Sequence, residues 1–274
     1  MTSHPLRLAV LLLLGAASLP ALGLAQTLEE EKKLFEGEFN EEDFFRLEEE
    51  AVTIASKHAQ STREAPATVS VISADDISRY GFRDLADLLR AVAGWYVSNG
   101  YDYYYAGNRG IMLKGDQNTR VLLLIDGHTM NEGWTSSSSF DELLGLDLAA
   151  ISRVEVLQGP SSTLYGSNAF LGIINIVTKA GEEVGKGASH VLMGSNGWTR
   201  VSVASGNKTG GIEYHARAMG TLSSGRYLYF PDRTEGPSGG FTPPEADAVR
   251  GGSLFARVQA GDLRVMAQLS NRLK

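Results

Sequence analysis

Two stretches decide how this chain folds: Ile151-Ser152-Arg153-Val154-Glu155-Val156-Leu157-Gln158-Gly159-Pro160, and then Gly172-Ile173-Ile174-Asn175-Ile176-Val177-Thr178-Lys179. Val154 to Leu157 and Ile173 to Val177 are short apolar runs rich in β-branched residues, bounded by turn formers, and both read as strands. Gly159-Pro160 is a fold-making turn rather than a binding group. Just upstream, Asp147 to Ile151 reads as a short helical turn. Val121 to Ile125 is wholly apolar, so it is expected to be buried on both faces until Asp126-Gly127 turns it.

Further upstream, Ala67 to Ile72 alternates as a strand. Ser73 stands three residues before Asp76, a capping-box-like start for a short helix that Gly81 ends. Asp84 to Ala93 places Leu85, Leu88, Leu89 and Val92 at helical spacing, and Gly94 closes it. Together these elements predict a small α+β domain, a mixed sheet with short helices, over residues 65–182.

Downstream of Ala188 the period changes to two. Ile212, Tyr214, Ala216 and Ala218 alternate with Glu213, His215 and Arg217. Leu254, Ala256 and Val258 oppose Ser253, Arg257 and Gln259. Leu263, Val265, Ala267 and Leu269 oppose Arg264, Gln268 and Ser270, and Val201 and Val203 oppose Arg200 and Ser202. Segments of this length and alternation suit an antiparallel membrane β-barrel, all-β, with an apolar outside and a polar inside. A soluble sheet with one wet face has the same pattern. Ser195-Asn196-Gly197, Gly206 to Gly210, Ser223 to Arg250 and Gly261-Asp262 join five strands over residues 183–274. If the first rises from the periplasm, the long connection falls outside the cell, where barrels keep their long loops. Five strands cannot close around a separate domain, and a lipid-exposed edge is costly. The chain is therefore expected to be a fragment or a truncated gene product.

The N-terminal region predicts export. Arg7, the apolar run Leu8 to Leu14 and the small residues of Gly23-Leu24-Ala25 form a removable signal peptide over residues 1–25, too short to span a bilayer. Residues 26–64 follow as a glutamate-rich spacer, a β-prone stretch and a polar linker ending at Pro66. A net charge of -7 argues against nucleic acid as a partner, and the absence of cysteine excludes disulfides, thiolate metal sites and a lipid-anchored N-terminal cysteine. Glycine, at 31 residues against 8 prolines, suits turn-rich β structure. No nucleophile–base pair, phosphate loop or metal cluster stands out. The chain is not expected to be an enzyme or to carry a cofactor.

Residues 151–160, with Ser162, Leu164-Tyr165-Gly166, Ala169 and residues 172–179, resemble the plug signature of TonB-dependent outer-membrane receptors. Ala65 to Ile72, Asp87-Leu88-Leu89, Gly94, Arg109-Gly110-Ile111 and Leu124-Ile125-Asp126-Gly127 match other stations of that plug in order. Gln158 departs from an arginine common in the family, which bears on one plug–barrel salt bridge, and Leu171 from a common glycine. The resemblance implies a plug lodged in a large barrel of the cell outer membrane. It also implies energised uptake of a scarce nutrient, an iron–siderophore complex first, with haem, cobalamin or another chelate as further candidates. The implied partners are TonB, a metal chelate or similar ligand, and outer-membrane lipid. The alternative is a non-transporting periplasmic plug-like binding module.

Residue by residue, the resemblance marks Glu50, Ala51, Val52, Thr53, Ile54 and Ala55 as a TonB box, an extended segment able to add to a sheet edge. It marks Arg109, Arg153 and Glu155 as charges that would pair with the barrel wall. Tyr101, Tyr103, Tyr104 and Tyr105 crowd one loop, with Trp134 in a second. These are the substrate-facing candidates, flat apolar faces with polar tips.

Overall fold

The computed structural model describes residues 51–52, 60–61, 68–100, 103–113, 115–229 and 248–273. The predicted signal peptide and acidic spacer lie outside the described residues, as do Glu50, Thr53, Ile54, Ala55 and Tyr101. The first described elements are β1 (Ala51–Val52) and β2 (Gln60–Ser61), paired antiparallel.

The α+β domain then runs β3 (Thr68–Ser73), α1 (Ala74–Tyr80), α2 (Leu85–Ala91), β4 (Trp95–Asn99), β5 (Tyr104–Asn108), β6 (Val121–Ile125), β7 (His128–Thr129), β8 (Ile151–Gln158), α3 (Ser162–Tyr165) and β9 (Gly172–Thr178). Its main sheet has the order β3-β8-β9-β6-β7, with β6 and β9 parallel and the other pairs antiparallel, so it is mixed as expected. The caps read from sequence form. Ser73 Oγ accepts from Asp76 N and Asp76 Oδ2 from Ser73 N, both at 3.2 Å, and Gly81 ends α1 in the left-handed region. Asp84 caps α2 by accepting from Asp87 N at 2.7 Å.

Leu85, Leu88 and Leu89 of α2 pack on Val121, Leu123, Ile125, Val154, Ile174 and Ile176, one face of the sheet. Leu122, Leu124, Leu157 and Ile173 form a second cluster with Ala169. β6 is thus buried on both faces, as its unbroken apolar run predicts.

One element differs from expectation. The tyrosine-rich stretch is the second half of a hairpin, with Ser98 opposite Tyr105 and Asn99 opposite Tyr104. Aromatic residues favour a pleated, half-buried ladder over a loop, so Tyr104 and Tyr105 belong to β5.

After α4 (Gly181–Val184), the strands β10 (Ala188–Met193), β11 (Thr199–Thr209), β12 (Ile212–Ser223), β13 (Val249–Ala260) and β14 (Leu263–Leu273) form one antiparallel meander in sequence order. β11 continues through Gly206 to Thr209. The turn into β12 is Gly210-Gly211, both at positive φ, as a two-residue hairpin requires. Val201, Val203, Ile212, Leu254, Val258 and Leu269 are exposed. Arg200, Ser202, His215, Arg217, Ser253 and Arg257, on the opposite face, are buried. Phe255 and Met266 also turn inward, into the α+β core. This largely polar-in, apolar-out arrangement is the reverse of a soluble sheet covering a domain, and it is what a wall with lipid outside requires.

Candidate functional site at the seam between domain and wall

Four consecutive wall strands each turn one arginine onto the α+β domain. Arg217 of β12 bonds Asp147 Oδ2 at 2.6 Å, Ser202 Oγ at 3.3 Å and the Ala149 carbonyl at 3.1 Å. Arg257 of β13 donates from Nη1 to Thr178 Oγ1 at 2.7 Å and to Asp126 Oδ2 at 3.3 Å, and from Nη2 to Glu213 Oε1 at 2.7 Å. Arg272 of β14 pairs with Asp141. Arg200 of β11 donates to the Arg83 carbonyl and to Thr221 Oγ1, and stands 3.9 Å from Glu142.

Local structure aims these carboxylates. Asp141 and Asp147 are N-caps of the 3-10 turns Glu142–Leu144 and Leu148–Ala150, with Oδ1 accepting from Leu143 N and Ala149 N. Oδ1 therefore holds the turn while Oδ2 is left for the wall. Asp126, in the turn after β6, also accepts from Thr178 N at 2.8 Å. Burial alone would raise the Asp147 carboxyl, but the Ser202 hydroxyl and Arg217 outweigh it and hold it below the usual carboxylate range.

The connection into the wall is seated by close packing. Gly181 N donates to Glu213 Oε1 at 3.1 Å, and a Cβ at Gly181 would clash with the Tyr214 carbonyl and stand 2.7 Å from that of Asn207. His215 lies 3.1 Å from the Lys179 carbonyl through Nδ1, its ring edge-on to Phe255.

At the end of the seam nearest the β10–β11 turn lies a polar cavity of about 300 Å³, lined by Asp84, Tyr103, Tyr104, Glu142 and Trp198 among others. The Arg200 guanidinium lies over the Trp198 ring at 5.1 Å and that of Arg90 over Tyr104 at 5.3 Å. Burial first, then repulsion from Asp87, raises the Asp84 carboxyl to about 7. Burial first, then the Asp84 carboxylate, raises the Tyr104 phenol.

The structure brings only part of the expected substrate-facing set to this cavity. Tyr103 and Tyr104 line it. The Tyr105 ring packs against Gly100, where a Cβ would meet it at 2.6 Å. Trp134 is 92% exposed on its own loop.

A family profile for the TonB-dependent receptor plug domain matches residues 61–173. The iron-regulated outer membrane virulence protein of Vibrio cholerae is 35% identical over 148 residues, which is 52% of this chain and 22% of that protein. The vitamin B12 transporter BtuB of Vibrio cholerae is 28% identical over 188 residues, 67% of this chain and 29% of the transporter. Among solved structures, Pseudomonas aeruginosa FpvA bound to heterologous pyoverdines superposes with a TM-score of 0.60 at 18% identity, covering 81% of this chain and 27% of that one. The ferric yersiniabactin uptake receptor FyuA of Yersinia pestis gives 0.54 at 21% identity, covering 75% and 31%. These two likenesses show the fold.

Residues 61–173 form a TonB-dependent receptor plug domain. The chain spans 22% and 29% of the length of the two Vibrio cholerae relatives. The α+β domain is the plug and the meander the start of the wall. Against these strands the plug meets the wall through Asp126, Asp141, Glu142 and Asp147, not through the expected Arg109, Arg153 and Glu155. Arg153 and Glu155 stand two apart on β8, hence on one face, and pair with each other at 2.9 Å, with Asn175 also donating to Glu155. Arg109 is exposed in the left-handed region and its amide donates to the Gly94 carbonyl at 2.9 Å. Gln158, where the family commonly has arginine, donates to the Ala93 carbonyl at 2.7 Å. Leu171 is buried in the plug core. The sequence signal for this seam was an arginine on the polar face of each of four strands, with β14 carrying two, Arg264 and Arg272. Nothing in the sequence told which plug carboxylate each would meet.

Proposed function

We propose that this receptor takes up a scarce chelated nutrient across the outer membrane, an iron–siderophore complex first, using energy delivered by TonB. The observation that carries the reading is the division of the seam. Buried arginine–carboxylate pairs hold the plug to the wall, while its far end opens into a polar cavity edged by Tyr103, Tyr104 and Trp198. With the long β12–β13 connection outside the cell, that cavity faces the medium, and the Arg257 and Gly181 contacts face the periplasm. Tyrosines offer flat apolar faces with polar tips, suited to the rings and oxygens of a chelate. A relative named as iron-regulated supports iron over cobalamin, for which another relative is named. Ala51–Val52 already lies in a strand, the conformation in which a TonB box adds to a sheet edge. The exposed apolar outer face disfavours a soluble periplasmic module.

The test is nutrient-limited growth and labelled uptake in the source organism with the gene deleted. Deletion is expected to abolish uptake of one class of ferric siderophore and to spare cyanocobalamin, and loss of TonB is expected to abolish that siderophore's uptake as well. Lost cobalamin uptake with iron uptake intact, or uptake that persists without TonB, would overturn the reading.

A further inference from the structure

Asn118 is 2% exposed and sits in the left-handed region at φ 61°, just before β6. Its Oδ1 accepts from Ala106 N at 2.8 Å. Its Nδ2 donates to the Tyr104 carbonyl at 2.7 Å and to the Ser138 carbonyl at 3.0 Å. Its backbone is bound as well: Asn118 N donates to Asp116 Oδ1 at 2.9 Å, and its carbonyl accepts from Ser138 Oγ at 3.2 Å and Val121 N at 3.1 Å. One side-chain amide thus joins two segments distant in sequence. The first is β5, which carries Tyr104 at the cavity. The second is the loop that holds Trp134 in solvent.

The Trp134 loop is built to keep its shape. The Glu132 carboxylate accepts from the amides of Trp134 and Thr135. Asn131 Nδ2 donates to the carbonyls of Val121 and Ser136, both at 3.0 Å. Ser138, at the end of the loop, is the point held by Asn118. The loop thus holds Trp134 in solvent, 92% exposed, on a backbone fixed by its own hydrogen bonds.

We propose that Asn118 is a positioning residue that sets the spacing between the tyrosine hairpin and the Trp134 loop, so that both present their rings to one ligand as a unit. The inference rests on the reading of this face as the ligand face. The chemistry needs a primary amide, because only that group offers one acceptor and two donors at a single short centre. Aspartate has the acceptor but no donors, and glutamine is a methylene too long. The left-handed backbone conformation favours asparagine, aspartate or glycine.

Fluorescence tests the staple without a ligand. Of the three tryptophans, Trp95 and Trp198 are buried, so quenching by iodide reports Trp134. In the full chain in detergent, Asn118→Asp is expected to lower the anisotropy of the iodide-accessible emission, and also the thermal midpoint, because it sets a carboxylate against the Tyr104 and Ser138 carbonyls. If aspartate disturbs folding, Asn118→Gly, which keeps the backbone conformation, serves for the same measurement. Unchanged anisotropy would overturn the proposal.

Binding to intact cells tests the role, with a ferric catecholate, a ferric hydroxamate and cyanocobalamin as probes. For the probe the parent binds, Asn118→Asp is expected to weaken binding by about tenfold, the effect of roughly one lost hydrogen bond at each loop. Trp134→Ala should then cost less in the Asn118→Asp background than in the parent, because the loop is already out of place. Additive costs would reduce Asn118 to a general stabiliser and overturn the proposal. If the parent binds none of the three probes, the ligand-face reading fails, and with it the proposed role at a ligand.

Discussion

Arg217 Nη1 and Asp147 Oδ2 lie 2.6 Å apart, with side chains 3% and 2% exposed, joining the wall to the plug at the middle of their seam. The pair is built from both sides. Asp147 uses its other oxygen to cap a 3-10 turn, and Arg217 spends its second nitrogen on the Ala149 carbonyl within that turn. A buried pair adds little net stability over apolar isosteres, because desolvating both charges offsets their attraction. What it supplies is placement: the plug seats in one register, and removing one partner is costly.

That asymmetry is measurable. Arg217→Met leaves Asp147 buried without its cation and should destabilise the plug–wall unit by roughly 3–5 kcal/mol in chemical unfolding in detergent. The double variant Arg217→Met with Asp147→Asn keeps the cap and removes both charges, and should recover a large part of that loss. Equal midpoints for the single variant and the parent would show that the pair does not hold the seam.

Asp84 makes stability depend on pH. Its folded-state value, about 7, lies above the ordinary 3.8 because burial and Asp87 disfavour the charge. The folded chain therefore keeps a proton that the unfolded chain releases. Its contribution is full below about pH 4, declines as pH rises toward 7 and is level above. Asp147 is shifted the other way, so its contribution is lost only on further acidification. Across about pH 4 to 8 the urea midpoint of the parent should fall relative to that of Asp84→Asn, which retains an N-cap. Parallel profiles would remove Asp84 as the cause.

The linker tests packing. Gly181→Ala drives a methyl into the Tyr214 and Asn207 carbonyls of the wall, whereas a Cβ at Gly187 meets nothing within 4 Å. Overpacking of this kind typically costs about 1–3 kcal/mol. Folded receptor recovered from outer membranes should fall for Gly181→Ala and stay at the parental level for Gly187→Ala. Equal recovery of the two would show that the linker is not seated as described.

Energy coupling is tested at β1. Proline donates no hydrogen bond to a ladder, so Val52→Pro should abolish energised uptake and leave surface binding of the ligand intact. Val52 also pairs with Gln60 in β2, so Gln60→Pro is the control: it breaks the same hairpin and spares the box. Uptake lost equally in both would assign the effect to the hairpin, and uptake retained in the Val52 variant would remove the TonB-box assignment.

The sequence by itself determined what rests on local pattern. Strict period-two alternation set which side chains of β11 to β14 face inward, because a slip of one residue would turn every apolar side chain to the wrong face. Ser73 with Asp76, Asp84 and Asp147 announced their helical turns, because a cap acts within three residues of its own position. The unbroken apolar run at Val121 to Ile125 announced a strand covered on both faces.

Only the tertiary structure decided which charges meet. Arg153 and Glu155 sit in the plug signature, yet strand geometry turns them to each other, while Asp126 and Asp147 left the sequence as turn formers and, with Asp141, became the anchors of the wall. Asn118 carried no signal, because its three side-chain partners lie 12 to 20 residues away along the chain and its role exists only once they converge. Patterns repeat along a chain and are legible there. An ion pair or a bridging amide needs two distant segments at hydrogen-bond distance, and only the packing of plug against wall supplies that distance.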